Sequence, residues 1–99
     1  SGVGARLSLG ALPVLPGAQD LLAAAVLSSV HAPNRAALEG RADRAKGDDI
    51  LYDPQTAGGL LATVPAAEAG ALLDRLRAAG IDAVQIGEIT AGPARIKLR

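Results

Sequence analysis

The sequence I-L-Y-D-P-Q-T-A-G-G-L-L-A-T-V, residues 50–64, joins two apolar runs through a polar loop that carries two glycines. Residues 50–52 and 60–64 have strand composition, so we predict a strand at each run. Pro54 disfavours the helical region for Asp53 and makes that residue extended. The Asp53 carboxylate and the Thr56 hydroxyl can then accept hydrogen bonds from backbone N–H groups nearby.

The glycine pair allows two interpretations. In the first, residues without a Cβ only let a turn enter a buried strand. In the second, unpaired N–H groups of residues 56–59 form a concave site for an anion such as a phosphate oxygen. A Gly-Gly pair alone is a weak signal, so the residues by themselves favour the first interpretation. The cofactor-binding residues of this second interpretation are Thr56, Gly58 and Gly59, in one loop with Asp53 and Gln55.

Composition limits the classes of function. Lys plus Arg and Asp plus Glu are 10 each in 99 residues, so the formal net charge is zero and no nucleic-acid footprint is present. An apolar run of about 18 residues is lacking, as is a signal-peptide pattern. Without cysteine, the chain forms neither disulfides nor thiolate sites. We expect a cytoplasmic protein with no nucleic-acid partner and no membrane partner.

The core has few large side chains to build on. Tyr52 is the single aromatic among Phe, Trp and Tyr, and alanine is abundant. Small side chains bury little surface, at about 25 cal/mol per Å². A chain of this length also buries only about two thirds of its unfolded surface. We therefore expect a fragment that is stabilised by contact with a neighbouring domain or chain. We interpret the initial serine as the start of a shortened or processed piece.

Helices are predicted from apolar spacing at residues 18–29 and 65–79. Pro33 is expected to separate the first from a short helix at residues 35–39, with Asn34 as its N-cap. Gly80 is expected to end the helix at 65–79 in the left-handed conformation, with Ile81 folding back as the apolar contact of this cap.

Strands are predicted at residues 5–9, 50–52, 60–64, 84–89 and 95–99. With the helices, the order is β, α, short α, β, β, α, β, β. This order predicts a mixed sheet with helices, an α/β or α+β two-layer fold. The latter half could hold a split βαβ unit of ferredoxin-like type.

The single histidine and the aspartates suggest little chemistry. His31 is interpreted as a hydrogen-bonded structural residue, because a general base needs a partner within reach and the sequence identifies none. Asp48, Asp49 and Asp53 could be read as magnesium ligands. Their irregular spacing and the alternating charges of residues 40–49 favour a solvated loop. We assign no catalytic residue and no metal ligand.

Three segments carry a family resemblance. D-P-Q-T-A-G-G-L-L at residues 53–61 resembles the D-P-Q-T-S-G-G-L-L signature of selenophosphate synthetase (selenide, water dikinase), with Ala57 in place of the usual serine. S-S-V-H-A-P-N-R at residues 28–35 is similar to the S-S-L-H-x-x-N-R segment of that family. I-G-E-I at residues 86–89 resembles its I-G-E-V. Three segments in the right order are more specific than any one of them.

The resemblance implies a fold and an activity. The fold is the C-terminal domain shared with aminoimidazole ribonucleotide synthetase, and residues 1–99 would be a single domain fragment, the C-terminal portion of a larger two-domain enzyme. That enzyme is a kinase-type transferase that makes selenophosphate, AMP and phosphate from selenide, ATP and water. In the family, ATP and magnesium are held largely by N-terminal aspartates and a lysine, beside a reactive cysteine or selenocysteine. A further metal-binding aspartate is expected just before Ser1.

The resemblance therefore implies that this chain is a structural wall of the active-site cleft, with the loop of residues 53–59 facing the cleft between the two domains. It also implies that the chain is inactive alone and holds no cofactor. Its partner would be the N-terminal ATP-binding domain, and a homodimer is a further partner to consider. Two alternatives stay open. One is a non-catalytic interaction module that recruits a partner through an edge strand or an apolar helix face. The other is the C-terminal domain of another ATP-dependent enzyme of the superfamily, against which D-P-Q-T-x-G-G argues.

Overall fold

The computed structural model describes residues 2–54 and 58–99. Two short 3₁₀ helices, Leu9–Ala11 and Asp48–Tyr52, lie among the regular elements. The strands and α-helices are β1 Gly4–Leu7, α1 Ala18–Ala23, α2 His31–Ala37, α3 Ala66–Ala78, β2 Gly87–Thr90 and β3 Ile96–Leu98.

The strands form one mixed sheet in the order β2-β1-β3. β1 is the central strand, antiparallel to β2 and parallel to β3. Across the antiparallel pair, Arg6 lies opposite Glu88, and their side chains form an ion pair of 2.6 Å. The predicted mixed sheet with helices, of α+β type, is confirmed.

The close approach of β1 and β2 explains why residue 87 of the sheet is a glycine. A Cβ on Gly87 would lie 2.1 Å from the carbonyl oxygen of Arg6. No side chain fits there without separating β1 from β2, since real Cβ contacts of that length do not occur. The I-G-E-I segment therefore has its glycine at the place where β2 enters the sheet.

Two of the predicted strands are wrong. Residues 50–52 belong to the Asp48–Tyr52 3₁₀ helix, and residues 60–64 have no regular secondary structure. In the first case the segment packs against α2, where Arg35 bonds the Asp48 carboxylate and Asn34 bonds the Tyr52 carbonyl, and such tertiary contacts override strand composition. In the second case residues 60–64 pair with none of the strands of the described sheet, which consists of β2, β1 and β3. The split βαβ unit, which required a strand at 60–64, is accordingly not formed.

The remaining strands agree with the prediction at shifted bounds. β1 is Gly4–Leu7 rather than 5–9, because Leu9–Ala11 forms a 3₁₀ helix. β2 begins at Gly87 rather than residue 84. β3 is Ile96–Leu98 within the predicted 95–99.

α1 is half as long as predicted. It ends at Ala23, and Ala25 has a positive φ of 59°. The N–H groups of Ala25 and Val26 bond to the carbonyl oxygens of Leu22 and Leu21, which is the Schellman arrangement. Residues 23–27 are exposed. Helical stability comes mainly from packing an apolar face, so the predicted continuation to Ser29 has nothing to stabilise it.

α2 begins at His31, four residues before the predicted start. Pro33 therefore lies in the first turn, where its missing N–H costs no intrahelical bond. Asn34 is inside the helix, with its N–H bonded to the carbonyl of Val30. The predicted N-cap role of Asn34 is wrong, and its side chain is free to bond elsewhere.

α3 is confirmed almost at its predicted bounds. It follows Pro65, and Gly80 ends it with a φ of 79°. The N–H of Ile81 bonds to the carbonyl of Leu76 at 2.9 Å, which confirms the backbone part of the predicted cap, while Ile81 itself is 53% exposed. The apolar stripe is only half-buried, at Ala69, Leu72, Leu73 and Leu76.

The core is small. Within residues 2–54 and 58–99, the buried apolar side chains are Ala42 and Tyr52. The accessible surface is 7315 Å², against about 5200 Å² expected for a compact chain of this mass. The radius of gyration of 14.7 Å likewise exceeds the roughly 13 Å of a compact 100-residue domain. Over the described ranges, no helix has the length and hydropathy to cross a bilayer.

Candidate functional site

The most buried polar groups of the described chain lie between α2 and the Asp48–Tyr52 3₁₀ helix. Three residues of α2 face the 3₁₀ helix because positions i, i+3 and i+4 share one side of an α-helix. We call the group the α2 cluster: His31, Asn34, Arg35, Asp48, Asp49 and Tyr52.

Arg35 makes the ionic contacts of the cluster. Its Nη2 donates to Oδ1 of Asp48, and its Nη1 lies 3.3 Å from Oδ1 of Asp49. The other oxygen of Asp48 accepts from Nε of Arg44 and from the N–H of Ala45, both at 3.3 Å. Asp48 is 3% exposed, and a carboxylate so buried is stable only with such partners.

The Tyr52 side chain packs against Arg35. The Cζ atom of Arg35 lies 4.7 Å from the centroid of the Tyr52 ring, a cation–π contact. The His31 ring meets the same ring edge-on, with centroids 5.8 Å apart and planes at 78°. The one tyrosine of the chain is therefore held on two sides by residues of α2.

The backbone of Tyr52 is also held. Nδ2 of Asn34 donates to the Tyr52 carbonyl oxygen at 3.0 Å. This carbonyl is the last of the 3₁₀ helix, immediately before Asp53. Two segments that the sequence analysis singled out separately, 28–35 and 53–61, thus meet at one peptide group.

His31 has a neighbour that sequence spacing does not reveal. Its Nε2 lies 3.2 Å from Oδ1 of Asp49. The atoms are not aligned for a hydrogen bond, so Nε2 and the buried Nε of Arg35 find no hydrogen-bond partner among the described residues. His31 is 4% exposed, which supports the structural interpretation, since a buried ring does not reach a substrate.

The cluster does not fit a magnesium ion. Both oxygens of Asp48 are bonded to arginines and an amide, so they are not free for a metal. No three acidic or histidine side chains in the described part of the chain converge as metal ligands. Arg35 and Arg44 balance Asp48 and Asp49 in charge, and we derive no metal-dependent step from these residues.

The predicted cofactor-binding residues follow the last residue of this cluster, Tyr52, in the sequence. Gln55 and Thr56 fall outside the described residues. Gly58 and Gly59 are exposed. Gly59 does not have a left-handed φ, and a Cβ there would meet no described atom within 4 Å. Leu60 is fully exposed and Leu61 is 78% exposed, so Gly59 does not lead into a buried strand. The first interpretation of the glycine pair is therefore wrong for Gly59.

Comparison with known proteins gives the family. The chain matches the family described as AIR synthase related protein, C-terminal domain, over residues 1–98. The selenide, water dikinase of Burkholderia pseudomallei is 36% identical over 102 residues, which cover 97% of this chain and 29% of that enzyme. The selenide, water dikinase of Geobacter sp. strain M21 is 35% identical over 86 residues, covering 85% of this chain and 25% of that enzyme.

A shorter match has higher identity. The selenide, water dikinase of Myxococcus xanthus is 58% identical over 43 residues, covering 43% of this chain and 12% of that enzyme. The chain thus spans less than a third of the length of these three relatives. The chain belongs to the AIR synthase related protein, C-terminal domain family, and within it to the C-terminal domains of the selenophosphate synthetases.

Proposed function

We propose that this chain is the C-terminal part of an enzyme that makes selenophosphate from selenide, ATP and water. One observation carries the proposal: 97% of the chain aligns with a selenide, water dikinase, yet only 29% of that enzyme is covered. The uncovered remainder would be the N-terminal ATP-binding domain, which would supply the ATP and magnesium sites. The complete two-domain protein would be a cytoplasmic phosphotransferase.

Within that enzyme, we propose that the chain is a structural wall of the active-site cleft. Leu60 and Leu61 directly follow the glycine pair, and the side chains of both are exposed on the described surface. Apolar side chains so exposed are typical of a surface that a neighbour covers. The large accessible surface of the chain supports the same interpretation. The neighbour in this proposal is the N-terminal domain of the same protein.

The wall would act through backbone atoms. Gly59 has no left-handed φ and no close neighbour among residues 2–54 and 58–99, so these residues do not explain why a side chain is absent there. A group from outside the chain that approaches the backbone would explain it. We propose that the N–H groups of Gly58 and Gly59, with the Thr56 hydroxyl, contact phosphate oxygens. Phosphoryl transfer depends largely on such positioning and charge stabilisation.

A chimeric enzyme tests the proposal. Residues 1–98 replace the matching segment of the Burkholderia pseudomallei selenide, water dikinase, and selenophosphate is followed by ³¹P NMR with selenide, ATP and magnesium. We expect selenophosphate from the chimera and none from the 99-residue chain alone. The unmodified Burkholderia pseudomallei enzyme is the control for assay conditions.

Two results would contradict the proposal. A chimera that has a native circular dichroism spectrum but makes no selenophosphate would favour an interaction module or another ATP-dependent enzyme. Selenophosphate formation by the 99-residue chain alone would refute the wall role, because the reacting groups would then lie within these residues.

A further inference from the structure

We propose that the chain forms a symmetric dimer in which α3 of each copy lies in an apolar groove on the sheet of the other copy. We call this groove the sheet groove, and its lining includes Ala5, Leu38, Arg41, Ile89, Arg95 and Ile96. Neither these residues nor α3 belong to the loop 53–61, so the dimer contact is separate from the proposed wall of the enzyme.

The two faces of the sheet differ in chemistry. Arg6 lies opposite Glu88 in β2 and opposite Lys97 in β3, and side chains opposite each other in neighbouring strands share a face. The other face carries two rows, Ala5 between Ile89 and Ile96, and Leu7 between Gly87 and Leu98. No residue of this apolar face is buried, and Ile89 is 54% exposed. The apolar face of such a sheet normally packs on a core, so this face has surface left to bury.

The sheet groove lies over the row of Ala5, Ile89 and Ile96. Arg41 is held beside β3, because the N–H of Ile96 donates to the Arg41 carbonyl at 2.8 Å. The volume of the groove is about 260 Å³, which is below the roughly 300–1,000 Å³ of small-molecule sites. Its size and apolar lining therefore suit a protein segment better than a small molecule.

One positive charge at the sheet groove is uncompensated. Nε of Arg95 donates to Oδ1 of Asp43 at 2.7 Å, and Nη1 donates to the carbonyl of Gly40 at 3.2 Å. The exposed Arg41 side chain, in contrast, forms no ion pair within residues 2–54 and 58–99. A complementary occupant is therefore an apolar segment with a carboxylate beside its apolar side.

α3 has this chemistry. Its apolar stripe is Ala69, Leu72, Leu73 and Leu76, and no residue of the helix is buried. Glu68 lies beside the stripe, since it precedes Leu72 by four residues on the same side of the helix. Over the described ranges, Glu68 has no ion-pair partner. A helix of 13 residues is marginally stable unless its apolar side packs, so α3 also has surface to bury.

A second copy of the chain supplies the helix. No residue of α3 lines the groove of its own chain. The accessible surface of 7315 Å² exceeds that of a compact chain of this mass by more than the roughly 800 Å² that each partner buries in a standard interface. Two equal contacts related by a two-fold axis close the dimer. The formal net charge of zero adds no repulsion between the copies.

Sedimentation velocity of the 99-residue chain tests the dimer. We expect a monomer–dimer equilibrium with a Kd on the order of 10 µM, because a contact of this size between small chains is weak. Arg41→Glu and Glu68→Lys, each alone, should raise the Kd at least about tenfold, because like charges then face each other at both contacts.

Two charge reversals away from the contact are the matched controls. Lys97→Glu lies on the charged face of the sheet, and Asp74→Lys is not three or four residues from any member of the apolar stripe of α3. Both should change the Kd by less than about twofold, because exposed charges outside a contact contribute little. Circular dichroism checks that each variant is folded.

An equimolar mixture of Arg41→Glu and Glu68→Lys chains separates a contact between copies from one within a chain. In a mixed dimer, both grooves again meet a helix whose residue 68 has the opposite charge. We expect the mixture to dimerise at a concentration at which neither variant dimerises alone. If Glu68→Lys loses its helical signal, Glu68→Gln replaces it and should still raise the Kd, whereas Asp74→Asn should not.

Three results would overturn the proposal. The first is an unsubstituted chain that stays monomeric at about tenfold above the expected Kd. The second is a dimer whose Kd is the same in the variants of Arg41 and Glu68 as in the controls, which would place the contact elsewhere. The third is a lower Tm of both variants at every concentration with no dimer in the mixture, which would mean that α3 closes on the groove of its own chain.

Discussion

The central carbon of the Arg35 guanidinium, Cζ, lies over the ring of Tyr52 at 4.7 Å from the ring centroid. The same guanidinium bonds Asp48 and approaches Asp49. One side chain of α2 therefore holds the first turn of the 3₁₀ helix by its charge and the last residue by its ring contact. Since the chain has few large side chains, this contact replaces part of a conventional apolar core.

Replacing Arg35 by lysine should destabilise the chain. Lysine keeps the positive charge but lacks the planar fork and the stacking surface. We expect Arg35→Lys to lower the free energy of unfolding by about 2 kcal/mol, because the buried Asp48 loses its best-placed partner. Urea denaturation measures this. Arg44→Lys, at an exposed side chain, should cost less than about 0.5 kcal/mol. Equal losses of unfolding free energy in Arg35→Lys and Arg44→Lys would contradict the proposal that Arg35 is the main partner of Asp48.

Ala25→Gly should stabilise the chain. Ala25 has a φ of 59°, a conformation that costs a residue with a Cβ about 1–2 kcal/mol. Glycine removes that cost but adds entropy to the unfolded chain, so we expect a net gain of about 0.5–1 kcal/mol. Ala24→Gly, one residue earlier at a φ of −81°, should instead destabilise. A thermal melt in which both substitutions lower Tm would argue against the helix end at Ala23.

Gly80→Val should destabilise the end of α3. The φ of 79° at Gly80 is unfavourable for a β-branched residue by at least about 1–2 kcal/mol. Asparagine tolerates this conformation better, so Gly80→Asn should cost less. Thermal unfolding of the two variants gives the comparison. An unchanged Tm for Gly80→Val would mean that the cap between Ile81 and Leu76 does not hold this end of the helix.

Gly59→Ala separates the wall role from a role in folding. A methyl group at Gly59 meets no described atom within 4 Å, so we expect the stability of the 99-residue chain to change by less than about 0.5 kcal/mol. In the chimera, the same methyl group should lower kcat on the order of tenfold, because the proposed wall needs close approach to the backbone. Gly10→Ala, also in open space, is the control and should leave kcat unchanged. Equal kcat values for both would contradict the wall role.

Local signals were sufficient for part of the fold. The apolar stripe of α3 and the glycine at its end predict that helix from adjacent residues alone. The alternation in β1 and β3 likewise predicts two strands of the sheet. These elements depend on contacts between neighbours in sequence or on a simple two-residue period, which a sequence displays directly.

Other features depend on contacts that spacing does not show. The 3₁₀ helix Asp48–Tyr52, which replaces a strand-like run, is bonded to α2 through the Asp48 carboxylate and Arg35. The bond between Asn34 and Tyr52 joins residues 18 positions apart, and it diverts Asn34 from the predicted cap. The proximity of His31 to Asp49 is of the same kind. Family resemblance indicated both segments, but only the fold shows that Asn34 bonds the carbonyl of the residue before Asp53.

Calorimetry gives the most direct test of the central claim, that this chain shapes the active-site cleft but does not itself hold the nucleotide. ATP with magnesium is titrated into the 99-residue chain, on a sample whose circular dichroism shows the helices of the fold, and into the chimera as the positive control. We predict no measurable binding to the chain and binding to the chimera. Micromolar, magnesium-dependent binding of ATP to the 99 residues alone would contradict the account.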